Sequence, residues 1–206
     1  TLARGDSILP FLLYCIRKRI SPRRQLVKAV GAFLYWKLRP SRASRAKSAT
    51  LSFLKGRSAD EMLDVARAFF RDEYLPRFYQ DGLTELWSLR SQGMKLVVVS
   101  ASPDVYMRAL PEFMPIDAVL STRCEVGGDG RYTGQVGENC KGEEKVRRIK
   151  QYLKENGFVL DMKCSSAYGD SPSDADMMAL VNRAVLVNPK KALLRRRPDG
   201  IVVHWT

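Results

Sequence analysis

The chain has 206 residues and a formal net charge of +13, with 45% hydrophobic and 28% charged residues. This is the composition of a globular protein with one sizeable core, so a disordered chain is excluded and we expect neither a membrane-spanning helix nor a secretory signal. Four widely spaced cysteines and a single histidine, His204, argue against a zinc site, a disulfide framework and a Ser-His-Asp triad.

Basic residues are concentrated in the first part of the chain. Residues 1–57 contain 14 Lys/Arg and one acid, Asp6, and the densest basic runs are RKRISPRR (17–24) and RPSRASRAK (39–47). Such runs attract phosphate-bearing partners: anionic lipid, nucleic acid or a phosphorylated metabolite. A solvated helical face explains the same runs, and both interpretations stay open.

The pattern of residues 5–92 predicts helices nearly throughout. Apolar residues recur three and four positions apart in SILPFLLYCIRKR (7–19), PRRQLVKAVGAFLYWKL (22–38) and SADEMLDVARAFFRDEYLPRFY (58–79). The third segment opens with the S-x-x-E pattern of a helix N-terminus at Ser58. A further helix, DGLTELWSLRSQG (81–93), is predicted to end at Gly93.

From residue 94 strands alternate with helices. The β-branched run MKLVVVSAS (94–102) predicts a strand buried on both faces, and TRCEVGGDGRYTGQV (122–136) predicts a hairpin. Further strands are predicted at 117–121, 165–170, 184–188 and 201–205, with helices at 103–110, 141–156, 173–182 and 189–196. This alternation predicts an α/β fold with a Rossmann-like parallel sheet, which binds ligands at the carboxyl ends of its strands.

Carboxylates cluster at the end of one predicted strand. Asp170 directly follows SSAYG, and Asp174 comes one turn later, just inside a predicted helix. Two carboxylates held in this way, with room for a phosphate oxygen, suit Mg²⁺. Capping of the helix N-terminus by Ser173 or Asp174 is the alternative interpretation.

Polar residues also stand at two other strand or helix ends. Ser100 ends the VVVS strand, and its hydroxyl with nearby backbone N–H groups is predicted to bind a phosphate group. Ser102, which precedes Pro103, is suited to cap the next helix. Lys141 is predicted to open a helix, where a cation is mildly unfavourable unless an anion faces it. Lys145, one turn further on, is interpreted as a surface residue of that helix.

The order of these elements resembles the haloacid dehalogenase (HAD) superfamily, in its phosphoserine-phosphatase-like branch, subfamily IB. The match is carried by VVVSAS (97–102), CKGEEKV (140–146) and YGDSPSDADMM (168–178), with EVGGDGRYTGQV (125–136) in support. The resemblance implies an α/β HAD core at 83–206 together with Thr1-Leu2. It also implies an inserted all-helical cap domain at 5–82 and a small β-hairpin.

The start of the chain departs from the family pattern. The first strand of the family ends in Asp-x-Asp-x-Thr-Leu, whose first Asp is the nucleophile and whose second is the general acid/base. Thr1-Leu2 look like the tail of this signature. We therefore expect both aspartates and the central strand to be encoded upstream of Thr1, and this chain alone to be inactive.

The resemblance assigns a role to each candidate residue. Ser100 and Lys141 hold the transferring phosphoryl group, and Asp170, supported by Asp174, holds Mg²⁺. Asp6 and Ser102 contact the substrate. The implied reaction is hydrolysis of a phosphomonoester through an aspartyl-phosphate intermediate, in the cytoplasm.

The substrate is expected to be a small phosphorylated metabolite such as phosphoserine or histidinol phosphate. The basic amphipathic stretch at 17–47 leaves open a lipid phosphate resembling phosphatidylglycerophosphate, hydrolysed at an anionic membrane surface. A non-catalytic phosphate-binding module is the rival if no upstream signature exists. Nucleic acid is not expected as a partner, because no known nucleic-acid-binding motif is present, and the pattern does not determine the oligomeric state.

Overall fold

The structure is a computed structural model that describes residues 1–38 and 43–206 and the side chains of all of these except residues 36–38. Part of the basic run at 39–47 therefore lies outside the described residues, as does the side chain of Trp36.

The first part of the chain is helical, as predicted. Ser58 caps one helix through its hydroxyl, which accepts a hydrogen bond from the backbone N–H of Asp60 at 3.2 Å. This confirms the start predicted from the S-x-x-E pattern. The helices are α1 (Ile8–Arg17), α2 (Arg24–Leu38), α3 (Ala43–Leu51), α4 (Ala59–Phe69) and α5 (Gln80–Ser91).

The second part alternates strands and helices. Its strands are β1 (Val97–Pro103), β2 (Ala118–Thr122), β3 (Cys124–Val126), β4 (Tyr132–Val136), β5 (Ser166–Gly169), β6 (Arg183–Val187) and β7 (Ile201–Val203). The helices between them are α6 (Asp104–Met107), α7 (Glu143–Glu155), α8 (Ala175–Met178) and α9 (Lys191–Arg196). The predicted helix at 103–110 is shorter than expected, because the chain turns into a 3₁₀ segment at Leu110.

The strands form two parallel sheets and one hairpin. β1 pairs with β2, in register from Val97 opposite Ala118, and β5, β6 and β7 pair in that order. β3 and β4 form the predicted antiparallel hairpin. Within the described residues β1 and β5 are not paired with each other. The parallel strands with intervening helices confirm the predicted α/β fold.

The main hydrophobic core joins the helical part to the strand part. Phe11 of α1 packs against Phe69 of α4 and Tyr106 of α6, with ring centroids 5.2 Å and 4.6 Å away. A second cluster, which includes Ala167, Met178 and Leu186, lies under the β5–β6–β7 sheet. The first core thus crosses the boundary predicted near residue 82 and holds the first, helical part of the chain against the carboxyl end of β1.

Two other expectations concern membranes and cysteines. In the part of the chain that the structure describes, no helix is both long enough and apolar enough to span a bilayer. Cys15, Cys124, Cys140 and Cys164 are all free thiols, and the first three are buried.

Candidate active site

The loop after β5 is organised by one buried carboxylate. Oδ2 of Asp174 accepts hydrogen bonds from the backbone N–H of Asp170 at 3.2 Å and from the backbone N–H and hydroxyl of Ser171, both at 3.0 Å. Ser171 and Asp174 together form a capping box. The capping residue is therefore Ser171, where the alternative interpretation named Ser173 or Asp174. Asp174 takes the third position of the capping box, and the turn fixes the position of Asp170.

Gly169 is required for this turn. A Cβ atom at position 169 would lie 2.6 Å from Cβ of Asp174 and 2.8 Å from Cε of Met178. Real Cβ atoms do not approach neighbours so closely, so any larger residue must displace Asp174. Glycine at the end of β5 thus lets the Asp174 side chain pack directly beneath the strand.

Lys145 is buried, in contrast to the surface position predicted for it. Its ammonium lies 2.6 Å from Oδ1 of Asp174 and donates to the carbonyl oxygen of Val99 at 2.9 Å. Both charged side chains are more than nine-tenths buried. The prediction was wrong because α7 begins at Glu143, so Lys145 lies in its first turn and points into the protein.

The contacts of Asp174 determine its charge. Burial alone raises the pKa of this carboxyl, but the ion pair with Lys145 and the hydrogen bonds from Ser171 outweigh burial and hold its pKa below the usual range. Asp174 is therefore ionised and its two oxygens are both engaged. It positions the turn and the lysine.

Lys141 precedes α7 instead of opening it. Gly142, with a φ of +59°, turns the chain between Lys141 and Glu143, and its N–H donates to the carbonyl of Ser173 at 3.2 Å. The exposed Lys141 lies in the wall of a cleft of about 490 Å³ that Ser173 and Arg196 also line. The loop before α7 therefore meets the loop after β5, as predicted, but the buried contact belongs to Lys145.

The serines at the end of β1 are linked to the first, helical part of the chain through Ser102. Ser100 Oγ accepts a hydrogen bond from the N–H of Ser102 at 3.1 Å, and Ser102 Oγ lies 2.8 Å from Oγ of the buried Ser7. Ser7 also contacts the hydroxyl of Tyr106 at 2.8 Å. Because β1 continues to Pro103, Ser102 lies within the strand, which contradicts its predicted role as a helix cap.

Asp6 is exposed and lies just before α1. Its Oδ1 accepts a hydrogen bond from the N–H of Ile8 at 2.8 Å, at the start of α1. Ser7 follows it directly and reaches the β1 serines. Asp6 is thus next in the chain to a residue at the β1 end, and the predicted substrate contact stays a prediction.

Asp170 has one free carboxylate oxygen. The hydroxyl of Thr1 donates to Oδ1 at 2.6 Å. Oδ2 makes no contact within the described residues, and the side chain is 33% exposed.

The residues around Asp170 can be compared with the needs of Mg²⁺. Among the described residues no group of three His, Cys, Asp or Glu side chains could hold a metal ion. Mg²⁺ needs only one or two carboxylates, because waters and phosphate oxygens fill its other positions. Oδ2 of Asp170 fits this requirement. Asp174, with both oxygens engaged, fits the predicted supporting role and not direct ligation.

Lys47 of α3 is a further cation at the strand ends, which the pattern did not single out. Its ammonium donates to the carbonyl of Ala101, to Thr122 Oγ1 and to Asn139 Oδ1. None of these acceptors is charged. Burial lowers the pKa of Lys47 to about 8, and attraction to Asp6 offsets only part of this effect. The alternative that the basic run at 39–47 is a solvated helical face is therefore incorrect for Lys47.

A family model of haloacid dehalogenase-like hydrolases matches residues 1–179. The chain therefore belongs to the haloacid dehalogenase-like hydrolase family. The match includes the end of β1, the first turn of α7 and the loop after β5. The predicted family and the predicted class of enzyme, a hydrolase, are confirmed.

Two named proteins and one crystal structure are similar to this chain. Protein CicA of Caulobacter vibrioides is 29% identical over 186 residues, which cover 88% of this chain and 79% of CicA. Phosphoserine phosphatase SerB1 of Mycobacterium tuberculosis is 30% identical over 153 residues, 73% of this chain and 48% of SerB1. A crystal structure of a protein with unknown function from Bordetella pertussis Tohama I matches with a TM-score of 0.84 at 23% identity, covering 98% of this chain and 93% of that one. This last likeness shows the fold.

Proposed function

We propose that the protein is a Mg²⁺-dependent phosphomonoester hydrolase that acts through an aspartyl-phosphate intermediate. Membership of the hydrolase family and the similarity to a named phosphoserine phosphatase support the reaction class. The nucleophile is an aspartate of the Asp-x-Asp-x-Thr-Leu signature whose tail is Thr1-Leu2. A cytoplasmic location, predicted from the sequence, is part of the same proposal.

One observation carries the proposal: the Lys145 ammonium contacts both the end of β1 and the turn after β5. It donates to the carbonyl of Val99, the residue before Ser100, and pairs with Asp174, which holds the backbone of Asp170. A serine hydroxyl, a cation and a carboxylate are thereby gathered at the carboxyl ends of two strands. This is where α/β proteins bind ligands.

Each residue then has a role. Asp170 is the protein ligand of Mg²⁺, and Asp174 orients both Asp170 and Lys145. Lys145, in place of the predicted Lys141, supplies the fixed positive charge beside the phosphoryl group, and Ser100 donates its hydroxyl to a phosphoryl oxygen. Lys141 and Arg196 flank the nearby cleft, where Lys141 is suited to meet an anionic group as it enters.

The reaction needs an attack by a carboxylate on a phosphate dianion. When bound, Mg²⁺ supplies charge neutralisation between the two anions. Lys145 lowers the same repulsion from a buried position, where a cation acts more strongly than in water. The second aspartate of the upstream signature protonates the leaving alcohol and then activates water.

The substrate is proposed to be a small phosphate ester, with phosphoserine and histidinol phosphate as the first candidates. Asp6 and Ser102, on either side of the contact between cap and core, are the proposed substrate contacts. A lipid phosphate is the second candidate, which the basic residues 1–57 favour at an anionic membrane surface. A non-catalytic phosphate-binding module remains the rival.

The test uses protein that includes the residues encoded ahead of Thr1, with p-nitrophenyl phosphate as substrate. We expect hydrolysis that requires Mg²⁺ and falls at least ~100-fold in Asp170→Asn. Asp176→Asn is the matched control, since among the described residues the ion pair of this acid is with Arg196, at 2.8 Å. Metal-independent hydrolysis, or equal rates for both variants, contradicts the proposal. A panel of phosphate esters then separates small metabolites from lipid phosphates.

A further inference from the structure

Helix α2 presents several large apolar side chains to solvent. Among its described side chains the buried ones are Gln25, Ala29 and Ala32, which lie on one stripe against α3. The rotation of the helix is fixed by the Gln25 amide, which donates to the carbonyls of Ala49 at 2.7 Å and Thr50 at 2.8 Å. The usual amphipathic arrangement is thus inverted, because small and polar residues pack inward.

The exposed apolar side chains share one face of the helix. Val27, Val30 and Leu34 are spaced three and four residues apart and are 75%, 53% and 57% exposed. Leu26 extends this stripe on its edge, at 37%. These four residues are called the α2 face. A contiguous apolar face of this kind marks an interaction site, whereas single exposed apolar residues do not.

Basic residues lie beside the α2 face. Arg23, Arg24 and Lys28 are exposed on the same helix or its entry. Arg17 and Lys18, at the end of α1, are instead paired with Glu73 and Asp72. The sequence has no Asp or Glu between Asp6 and Asp60. The partner must therefore offer both an apolar interior and negative charge.

These two requirements select among partners. A second copy of the chain would bring the same basic residues face to face, and like charges repel. Nucleic acid offers negative charge but no aliphatic surface for Val27, Val30 and Leu34. An anionic lipid bilayer offers phosphates at the depth of the basic residues and acyl chains below them.

We propose that the α2 face, with Arg23, Arg24 and Lys28, docks the protein on the surface of an anionic lipid bilayer. The helix lies in the plane of the interface and inserts Val27, Val30 and Leu34 among the acyl chains. The docking depends on α2 alone and not on the proposed phosphatase reaction. Failure of either proposal leaves the other standing.

The test is cosedimentation of the chain with vesicles of phosphatidylcholine alone and of phosphatidylcholine with phosphatidylglycerol. We expect binding to the anionic vesicles only, weakened by high salt. Replacing Val27, Val30 and Leu34 together by Ser should weaken binding at least ~10-fold, because these apolar side chains no longer insert into the bilayer. The triple variant Arg23→Gln, Arg24→Gln, Lys28→Gln should lose the preference for anionic vesicles.

The matched control replaces Val126, Val159 and Leu194, exposed apolar residues outside α2, by Ser. This control should bind like the unchanged chain. Circular dichroism establishes that each variant is folded. Absence of binding to anionic vesicles, or equal binding by the two serine variants, overturns the proposal. A dimer in light scattering that only the α2 variant abolishes, without vesicle binding, assigns the face to a second copy and also overturns it.

Discussion

In α2 the inward side chains are Gln25, Ala29 and Ala32, whereas the inward side chains of α7 include Glu144 and Lys145. One helix exposes apolar residues and the other buries charges. Both arrangements cost free energy when no partner compensates them. In α7 the partners are within the chain, because Glu144 pairs with Arg147 and Arg148 and Lys145 pairs with Asp174. For α2 the partner that we propose is a lipid bilayer.

The comparison predicts its largest effect at the buried pair of α7. Asp174→Asn should lower the free energy of unfolding by about 3–5 kcal/mol at neutral pH, because Lys145 is left buried without a counter-charge. Urea denaturation measures this loss. The exposed pair of Arg196 and Asp176 provides the control, and Asp176→Asn should cost less than about 1 kcal/mol.

The same pair predicts a dependence on pH. The pKa of Asp174 is lowered in the folded state, so its stabilising contribution is present above the ordinary carboxyl pKa and is lost as pH falls through the folded value. The difference between Asp174→Asn and the unchanged chain should therefore shrink below about pH 4. A constant difference across this range would show that the ion pair does not stabilise the fold.

Replacing a glycine by alanine beside Asp174 and in α2 compares the packing of these two regions. Gly169→Ala should destabilise the protein by about 1–3 kcal/mol, since the added Cβ meets Asp174 at 2.6 Å. Gly31→Ala in α2 meets nothing within 4 Å and should stabilise the protein by up to about 1 kcal/mol. Thermal unfolding of the two variants measures both. A loss in both would mean that α2 is packed more tightly than described.

A smaller effect is expected at Lys47, the half-buried cation of α3. Its pKa of about 8 lies below the ordinary lysine value, so the folded state binds fewer protons than the unfolded state above pH 8. The unchanged chain should therefore gain stability relative to Lys47→Met as pH rises from 8 to 10, by at most roughly 1 kcal/mol per pH unit. The same measurement on Lys28→Met subtracts the effect of removing an exposed charge. A falling difference would contradict the burial of Lys47.

The smallest effect should come from the α2 face itself. Joint replacement of Val27, Val30 and Leu34 by Ser should change the free energy of unfolding by less than about 1 kcal/mol, because these side chains contribute little to the core. Urea denaturation tests this expectation. A loss of several kcal/mol would show that the face packs within the protein.

Much of the fold could be predicted from local patterns. β-branched runs gave β1 and β6, the S-x-x-E pattern gave the start of α4, and the glycine-rich turn gave the hairpin of β3 and β4. Asp170 and Asp174 could be placed because both follow the predicted strand β5 within one turn of each other. These features depend on a few adjacent residues, which the sequence displays directly.

The errors concern contacts between distant residues. Lys141 lies just before Gly142 and Lys145 shortly after it, so the local pattern does not tell which lysine is buried. The burial of Lys145 depends on Asp174, 29 positions away. The available signal for the burial of Lys145 was its position one turn before the apolar Ile149, on the same side of α7. Lys47 offered none, because its acceptors Ala101, Thr122 and Asn139 come from three separate segments.

The most direct test of the candidate site compares Lys145 with Lys141. Lys145→Met and Lys141→Met are measured in protein that includes the upstream residues, with p-nitrophenyl phosphate and Mg²⁺. Lys145→Arg is included to retain the charge should Lys145→Met unfold. We predict a loss of ~100-fold or more in kcat for Lys145→Met, partial activity for Lys145→Arg and nearly full kcat for Lys141→Met. Full activity of folded Lys145→Met, with the loss at Lys141→Met instead, would contradict the site described for Lys145.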